Sequence, residues 1–173
     1  MIKGYRIIFK KLTKKIGVVF ISGHEDLEYT GDYILIDRLA EFYPVKEWSW
    51  NKNEIITLND ISLAIHNNQK EETQPFGDEY EYMCIEEKST EYHIGRIIYF
   101  INHPEEIKDI IIDNLCMDYY IFPSPIIVDG NHRFVASLYL NEKGKMNKIH
   151  CRYGGRVDLL DYLTGDSNNC PEE

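Results

Sequence analysis

No stretch of the 173 residues approaches the ~20 consecutive apolar positions that a membrane-spanning helix needs. The longest apolar run, Ile16–Ile21, is short and carries a glycine. The basic start (Lys3, Arg6, Lys10, Lys11, Lys14, Lys15) leads into no apolar core or small-residue cleavage site, which excludes a secretory signal and sets the expectation of a cytoplasmic protein. Cysteine is sparse: Cys84, Cys116, Cys151 and Cys170 are scattered, without a C-x-x-C pair or zinc-type spacing, so the expectation is reduced thiols and no structural metal. Basic charge is the larger deficit. The chain carries 19 Lys and Arg against 29 Asp and Glu. Six of the basic residues lie in the first 20 positions, which hold no acid, so the remaining 13 basic and 29 acidic residues give positions 21–173 a net charge of −16. Such a body repels phosphate backbones and disfavours broad duplex-DNA binding and nuclease action on it, while leaving room for a local basic strip or one anion pocket.

What is present is an ordinary globular composition, 43% hydrophobic and 28% charged, at a length of about one domain. Tyr5–Phe9, Gly17–Ile21 and Asp32–Ile36 read as short strands, and the aromatic stretch Phe42–Trp50, interrupted by Pro44, as strand and loop. Thr57 with Asp60 makes a capping box for a helix whose Leu58, Ile61 and Ile65 share a face, ended by Asn67–Asn68. Residues 67–78 are polar and read as a surface loop, and Glu79–Ile85 alternates like a half-buried strand. Tyr92–Ile101 reads as a strand, its Ile-Ile-Tyr-Phe-Ile run fitting a buried helix equally well. A further helix is expected from Pro104, capped by Asn102 or His103, with Glu105 and Glu106 in its first turn and Ile107, Ile110, Ile111 and Leu115 on its apolar face.

The stretch that carries chemistry runs from Ser124 to Leu140. Pro125–Val128 reads as a buried strand, Asp129-Gly130 as a tight turn, Asn131 as a cap, and Phe134–Leu140 as helix finishing at Gly144. A strand, a glycine turn and a helix start aim backbone N–H groups at whatever lies above the turn. His132 and Arg133 in the first helical turn oppose the helix dipole, a conflict that a bound phosphate would remove by accepting from the Gly130–Arg133 amides, the imidazole and the guanidinium. The alternative is a plain turn, with His132 buried and hydrogen-bonded and Arg133 paired with Asp129.

Asp129-Gly130-Asn131-His132-Arg133-Phe134-Val135-Ala136 resembles the Gly-x-His-Arg-(Tyr/Phe)-x-Ala box of the ParB/sulfiredoxin superfamily, clearly over residues 123–140 and loosely over 94–165. The resemblance implies an α+β fold: a single compact ParB/sulfiredoxin-like domain, with a mixed β-sheet and helices packed around it. Residues 91–165 would form this core, 1–90 a β-rich N-terminal extension or part of the same core, and 166–173 a flexible tail. It also implies a nucleotide phosphate site. Sulfiredoxins place a nucleophilic cysteine just before the His-Arg pair. Asn131 stands there in this chain, which excludes peroxiredoxin repair by that thiol.

The expected function is binding of a nucleoside phosphate, ATP or another nucleoside triphosphate with Mg²⁺, with hydrolysis or transfer of phosphate open. In that reading Gly130, Asn131, His132, Arg133 and Arg156 bind the nucleotide. Asp129, His132 and Arg133 act catalytically, the cations stabilising phosphate charge and Asp129 holding Mg²⁺ or orienting His132. Gly154-Gly155-Arg156 is a second anion nest, or a plain turn whose Arg156 pairs with Asp158 or Asp161. His93 and Arg96, beside Glu91, form a second polar group, either the wall of a ligand site on a strand or plain exposed strand residues, while His24, His66 and His103 read as loop, helix-end and cap residues. The competing function is a non-enzymatic acidic protein, of the immunity or antitoxin kind, that binds a basic protein partner and keeps a degenerate pocket. The 13 tyrosines, with Trp48 and Trp50, are spread without interleaved basic residues and read mostly as core.

Overall fold

The computed structural model describes residues 30–42, 51, 54–75, 88–116 and 120–171. The strands expected at Tyr5–Phe9, Gly17–Ile21 and Glu79–Ile85, and nearly all of the aromatic stretch Phe42–Trp50, lie outside the described residues.

The elements are β1 (Thr30–Leu35), α1 (Ile36–Glu41), α2 (Leu58–His66), α3 (Thr90–Asn102), a 3-10 turn (Pro104–Glu106), β2 (Ile110–Cys116), β3 (Tyr120–Asp129), α4 (Asn131–Glu142), β4 (Lys148–Gly154) and α5 (Val157–Thr164). The four strands form one mixed sheet in the order β1-β4-β2-β3. β4 pairs antiparallel with β1 and parallel with β2, and β2 pairs antiparallel with β3. This is an α+β fold with a four-stranded mixed sheet and five α-helices among the described residues.

Alternation along the strands decides which face is covered. Ile34 of β1, Ile110 and Ile112 of β2, Ile127 of β3, and Ile149, Cys151 and Tyr153 of β4 are buried. They share a core with Ile97 of α3, Phe134, Val135 and Ala136 of α4, and Leu159 and Leu163 of α5. The other face carries Tyr33, Val128, Lys148 and Arg152, all exposed, and the half-buried His150.

One element differs from expectation and one ambiguity is decided. The helix anticipated from Pro104 is only a three-residue turn, and Ile110 begins a strand. β-Branched isoleucines at 110–112 fit a pleated surface, and Ile110 and Ile112 alternate into the core in register with Cys151 and Tyr153 of β4. For Tyr92–Ile101 the structure selects the helix of the two alternatives: it is the body of the 13-residue α3, capped by the Ser89 side chain accepting from the Tyr92 amide. Its length and cap outweigh its β-branched run. The capping box of α2 forms as the sequence indicates, with Thr57 and Asp60 bonding reciprocally. Ile65, placed by periodicity on the buried face, is instead exposed, and Ala64 is buried.

The polar segment after α2 packs against α3. The Glu72 amide donates to the Gly95 carbonyl at 3.0 Å, and a Cβ on Gly95 would lie 3.0 Å from the Glu72 Cβ, so the glycine permits the approach. Residues 167–168 are held by Arg38, which donates to the Ser167 carbonyl and the Asn168 side chain. Because Phe134 is fully buried where α4 meets the sheet, Phe134→Ala is expected to lower stability by about 3–5 kcal/mol in urea denaturation. A loss below about 1 kcal/mol would contradict this placement.

Candidate functional site

The β3–α4 corner is built on Gly130. Its φ of 96° lies in the left-handed region, and a Cβ there would sit 2.7 Å from Ile110 Cγ2, so neither backbone nor space admits a side chain. Gly130 occupies the N-cap position itself. Asn131, expected as the cap, is the first residue of α4, and the helix starts without a side-chain cap or an acidic residue in its first turn. The Phe134 amide returns to the Gly130 carbonyl at 2.8 Å. The first-turn amides therefore depend on partners from outside the helix.

His132 points inward, toward α3. Its Nε2 lies 2.9 Å from His93 Nδ1, with the rings 16° from parallel, so one imidazole donates its N–H to the other. The expectation of exposed strand positions for His93 and Arg96 is thereby corrected: both are buried on α3, and His93 meets the very histidine of the turn. Arg96 donates to the Glu72 carbonyl at 2.9 Å and lies over the Tyr99 and Phe100 rings, 4.8 Å from each centroid. Burial pushes His93 down to about 4. Burial first, then the charges of His93, Arg96 and Arg133, push His132 down to about 3. At neutral pH His132 is an uncharged, hydrogen-bonded and partly buried residue rather than a cation.

Arg133 is closed as well. Its Nη2 donates to Asp129 Oδ2 at 2.6 Å and its Nη1 to the Asp109 carbonyl at 2.5 Å, and its side chain is 18% exposed against 50% for Asp129. The dipole conflict at the start of α4 is thus relieved within the chain, by a neutral His132 and a neutralised Arg133. This is the geometry of the plain turn weighed above.

Asp109, just before β2, extends the network. Its Oδ1 lies 3.1 Å from His150 Nδ1 and its Oδ2 3.6 Å from Arg152 Nε. Arg152, Ile111 and Asp129 are in register across β4, β2 and β3. One continuous chain of contacts therefore runs Asp129–Arg133–Asp109–His150 and Arg152, from the first turn of α4 onto the open sheet face. Sequence reasoning missed Asp109, His150 and Arg152. Asp109 fell inside the helix expected from Pro104, whereas the alternation of Lys148-Ile-His-Cys-Arg-Tyr153 would have placed Lys148, His150 and Arg152 on one face.

The remaining candidates lie apart from this network. Arg156 grips Asp158 with both Nε (3.0 Å) and Nη2 (2.6 Å), the plain-turn alternative, and that guanidinium holds the Asp158 carboxyl below its usual range. Cys151 faces the core, and burial pushes its thiol up to about 12, which removes it as a thiolate nucleophile. His103, Glu105 and Glu106 bring ligand-capable atoms within 4.8 Å of one another at the surface, with Glu106 accepting from the Tyr99 hydroxyl. Between α2 and α3 lies an open hollow of about 420 Å³, lined by Ile55, Ile56, Leu63, Ala64 and Ile94. Comparison of the chain with family models, curated proteins and solved structures gives no match.

The histidine pair carries a pH signature. Above about 6.5 both rings are neutral in folded and unfolded chains alike, and the pair adds nothing to the pH dependence. As pH falls from 6.5 towards 4 and then 3, the unfolded chain takes up protons that the folded chain resists. Stability then drops by on the order of 1 kcal/mol per pH unit for each ring. Urea midpoints measured across this window are expected to fall less steeply in a His93→Gln/His132→Gln variant than in the wild type. Equal slopes would contradict the pairing.

Proposed function

We propose that the chain binds a nucleoside phosphate at the β3–α4 corner, with the phosphates at the uncapped first turn of α4 and beside Arg152. The observation that carries this reading is the double engagement of Asp109. Its carbonyl fixes Arg133 under the turn, and its carboxylate gathers His150 and Arg152 at the same corner. Backbone amides at a helix start and an arginine fork are the donors an oxyanion seeks. The resemblance of Asp129–Ala136 to the ParB/sulfiredoxin box points the same way. His132 and Arg133 are then positioning residues that fix the first turn, and the amides with Arg152 are the ligands. Asp129 keeps one carboxylate oxygen outside its Arg133 contact and is half exposed, which suits a single ligand to a magnesium ion arriving with the nucleotide.

A second reading, the acidic partner-binding protein, is favoured by a specific observation. Arg133 and Arg156 are each already closed by a carboxylate of this chain, and Ile55 and Leu63 stand more than half exposed beside the α2–α3 hollow. A basic protein would be the complementary partner for a chain of net charge −10.

Thermal-shift and calorimetric titration with ATP, ADP, CTP and GTP, each with and without Mg²⁺, separates the two. Nucleotide at 100 times its dissociation constant stabilises the fold by about 2.7 kcal/mol. Arg152→Ala is expected to remove most of that gain while leaving the free protein's melting temperature nearly unchanged. Arg133→Ala is expected to lower the melting temperature of the free protein, because Asp129 and the Asp109 carbonyl lose their donor. No shift with any of the four nucleotides would overturn the phosphate reading in favour of the partner-binding one.

A further inference from the structure

On the open sheet face, His150 is set up as a base. Asp109 Oδ1 at 3.1 Å accepts from Nδ1, which fixes the imidazole tautomer and leaves the Nε2 lone pair for a proton. Tyr33, directly opposite in the β1–β4 register, meets the ring edge-on at 4.9 Å between centroids and limits its rotation. Gly31, two residues earlier on β1, places no side chain beside Nε2, and the His150 side chain is 34% exposed. A Cβ there would stand 3.5 Å from Nε2 and 3.4 Å from Cε1, so any larger side chain would extend over the nitrogen. Its backbone needs no glycine, since Gly31 is absent from the positive-φ residues. Beside the ring, Arg152 meets Asp109 through Nε, and among the described residues its two terminal Nη groups are left for an oxyanion. A base oriented by a carboxylate, an arginine alongside and a cleared approach are the parts that activation of water against a phosphate requires.

We propose that His150 is the general base of a nucleoside triphosphatase, with Asp109 as its positioning residue and Arg152 holding the terminal phosphate. The proposal rests on the nucleotide reading of the same corner. Water attacks the terminal phosphorus as its proton passes to Nε2. One P–O bond forms, the bridging P–O bond breaks, and the nucleoside diphosphate leaves with that electron pair. The proton on His150 then passes to solvent. Water is the only co-reactant, and the products are nucleoside diphosphate and inorganic phosphate.

The test follows phosphate release from ATP, CTP and GTP with Mg²⁺, alongside calorimetric binding of the same nucleotides, on the full chain. The wild type is expected to turn over at least one of them. His150→Gln should lower kcat about 100-fold with KM changed less than about threefold. Asp109→Asn should lower kcat in the same sense, and free imidazole should restore part of the activity of His150→Ala, which a merely structural role would not allow. Gly31→Val should lower kcat while leaving the melting temperature within a few degrees. Nucleotide bound without phosphate release, or turnover unchanged in His150→Gln, overturns the catalytic proposal and leaves the binding reading standing. Neither binding nor release overturns both.

Discussion

The corner of the sheet is organised by a single residue that bonds in two directions. Asp109 offers its backbone carbonyl to Arg133 and its carboxylate to His150 and Arg152. The first contact pins the opening turn of α4 to the entry of β2, and the second sets side chains of β4 on the outer face. A half-exposed carboxylate shared by two basic groups adds little net stability. Its effect is positional: β2, α4 and β4, already joined through the sheet and the core, have their polar side chains held in one arrangement at this corner.

The start of α4 shows how a local electrostatic conflict is settled. A histidine and an arginine in the first turn of a helix would both oppose the dipole if charged. His132 avoids the conflict by burial against His93, and Arg133 by pairing with Asp129 four residues earlier. The histidine and arginine named by the sequence thus both serve the architecture of the turn, and in the proposed nucleotide reading the ligands are the amides and the exposed Arg152. The same arrangement ties α3 to α4, since His93 of one helix meets His132 of the other through a polar contact.

Much of this was legible in the sequence, for local reasons. The capping box at Thr57–Asp60 and the run of strand Pro125–Val128, glycine turn and helix through Phe134–Leu140 are specified by nearby residues, and the structure carries both. An error and an ambiguity arose where one pattern fits two elements. Ile107–Leu115 satisfies a helical face on paper, but the pairing of Ile110 with Cys151 depends on a strand 41 residues away. Tyr92–Ile101 carries β-branched residues, yet Ser89 and a core on one side make it a helix. The site suffered the same limit. The His93–His132 contact spans 39 residues and the Asp109–His150 contact 41, separations that periodicity and spacing cannot reach.

The most direct test of the account is an amide-resolved NMR titration of the full chain with ATP and Mg²⁺. Shifts concentrated at residue 109, residues 129–133 and residues 150–152 are predicted, with the α2–α3 hollow undisturbed. Shifts centred on Ile55, Leu63 and Ile94, or none at all, would contradict a phosphate site at the Gly130 turn.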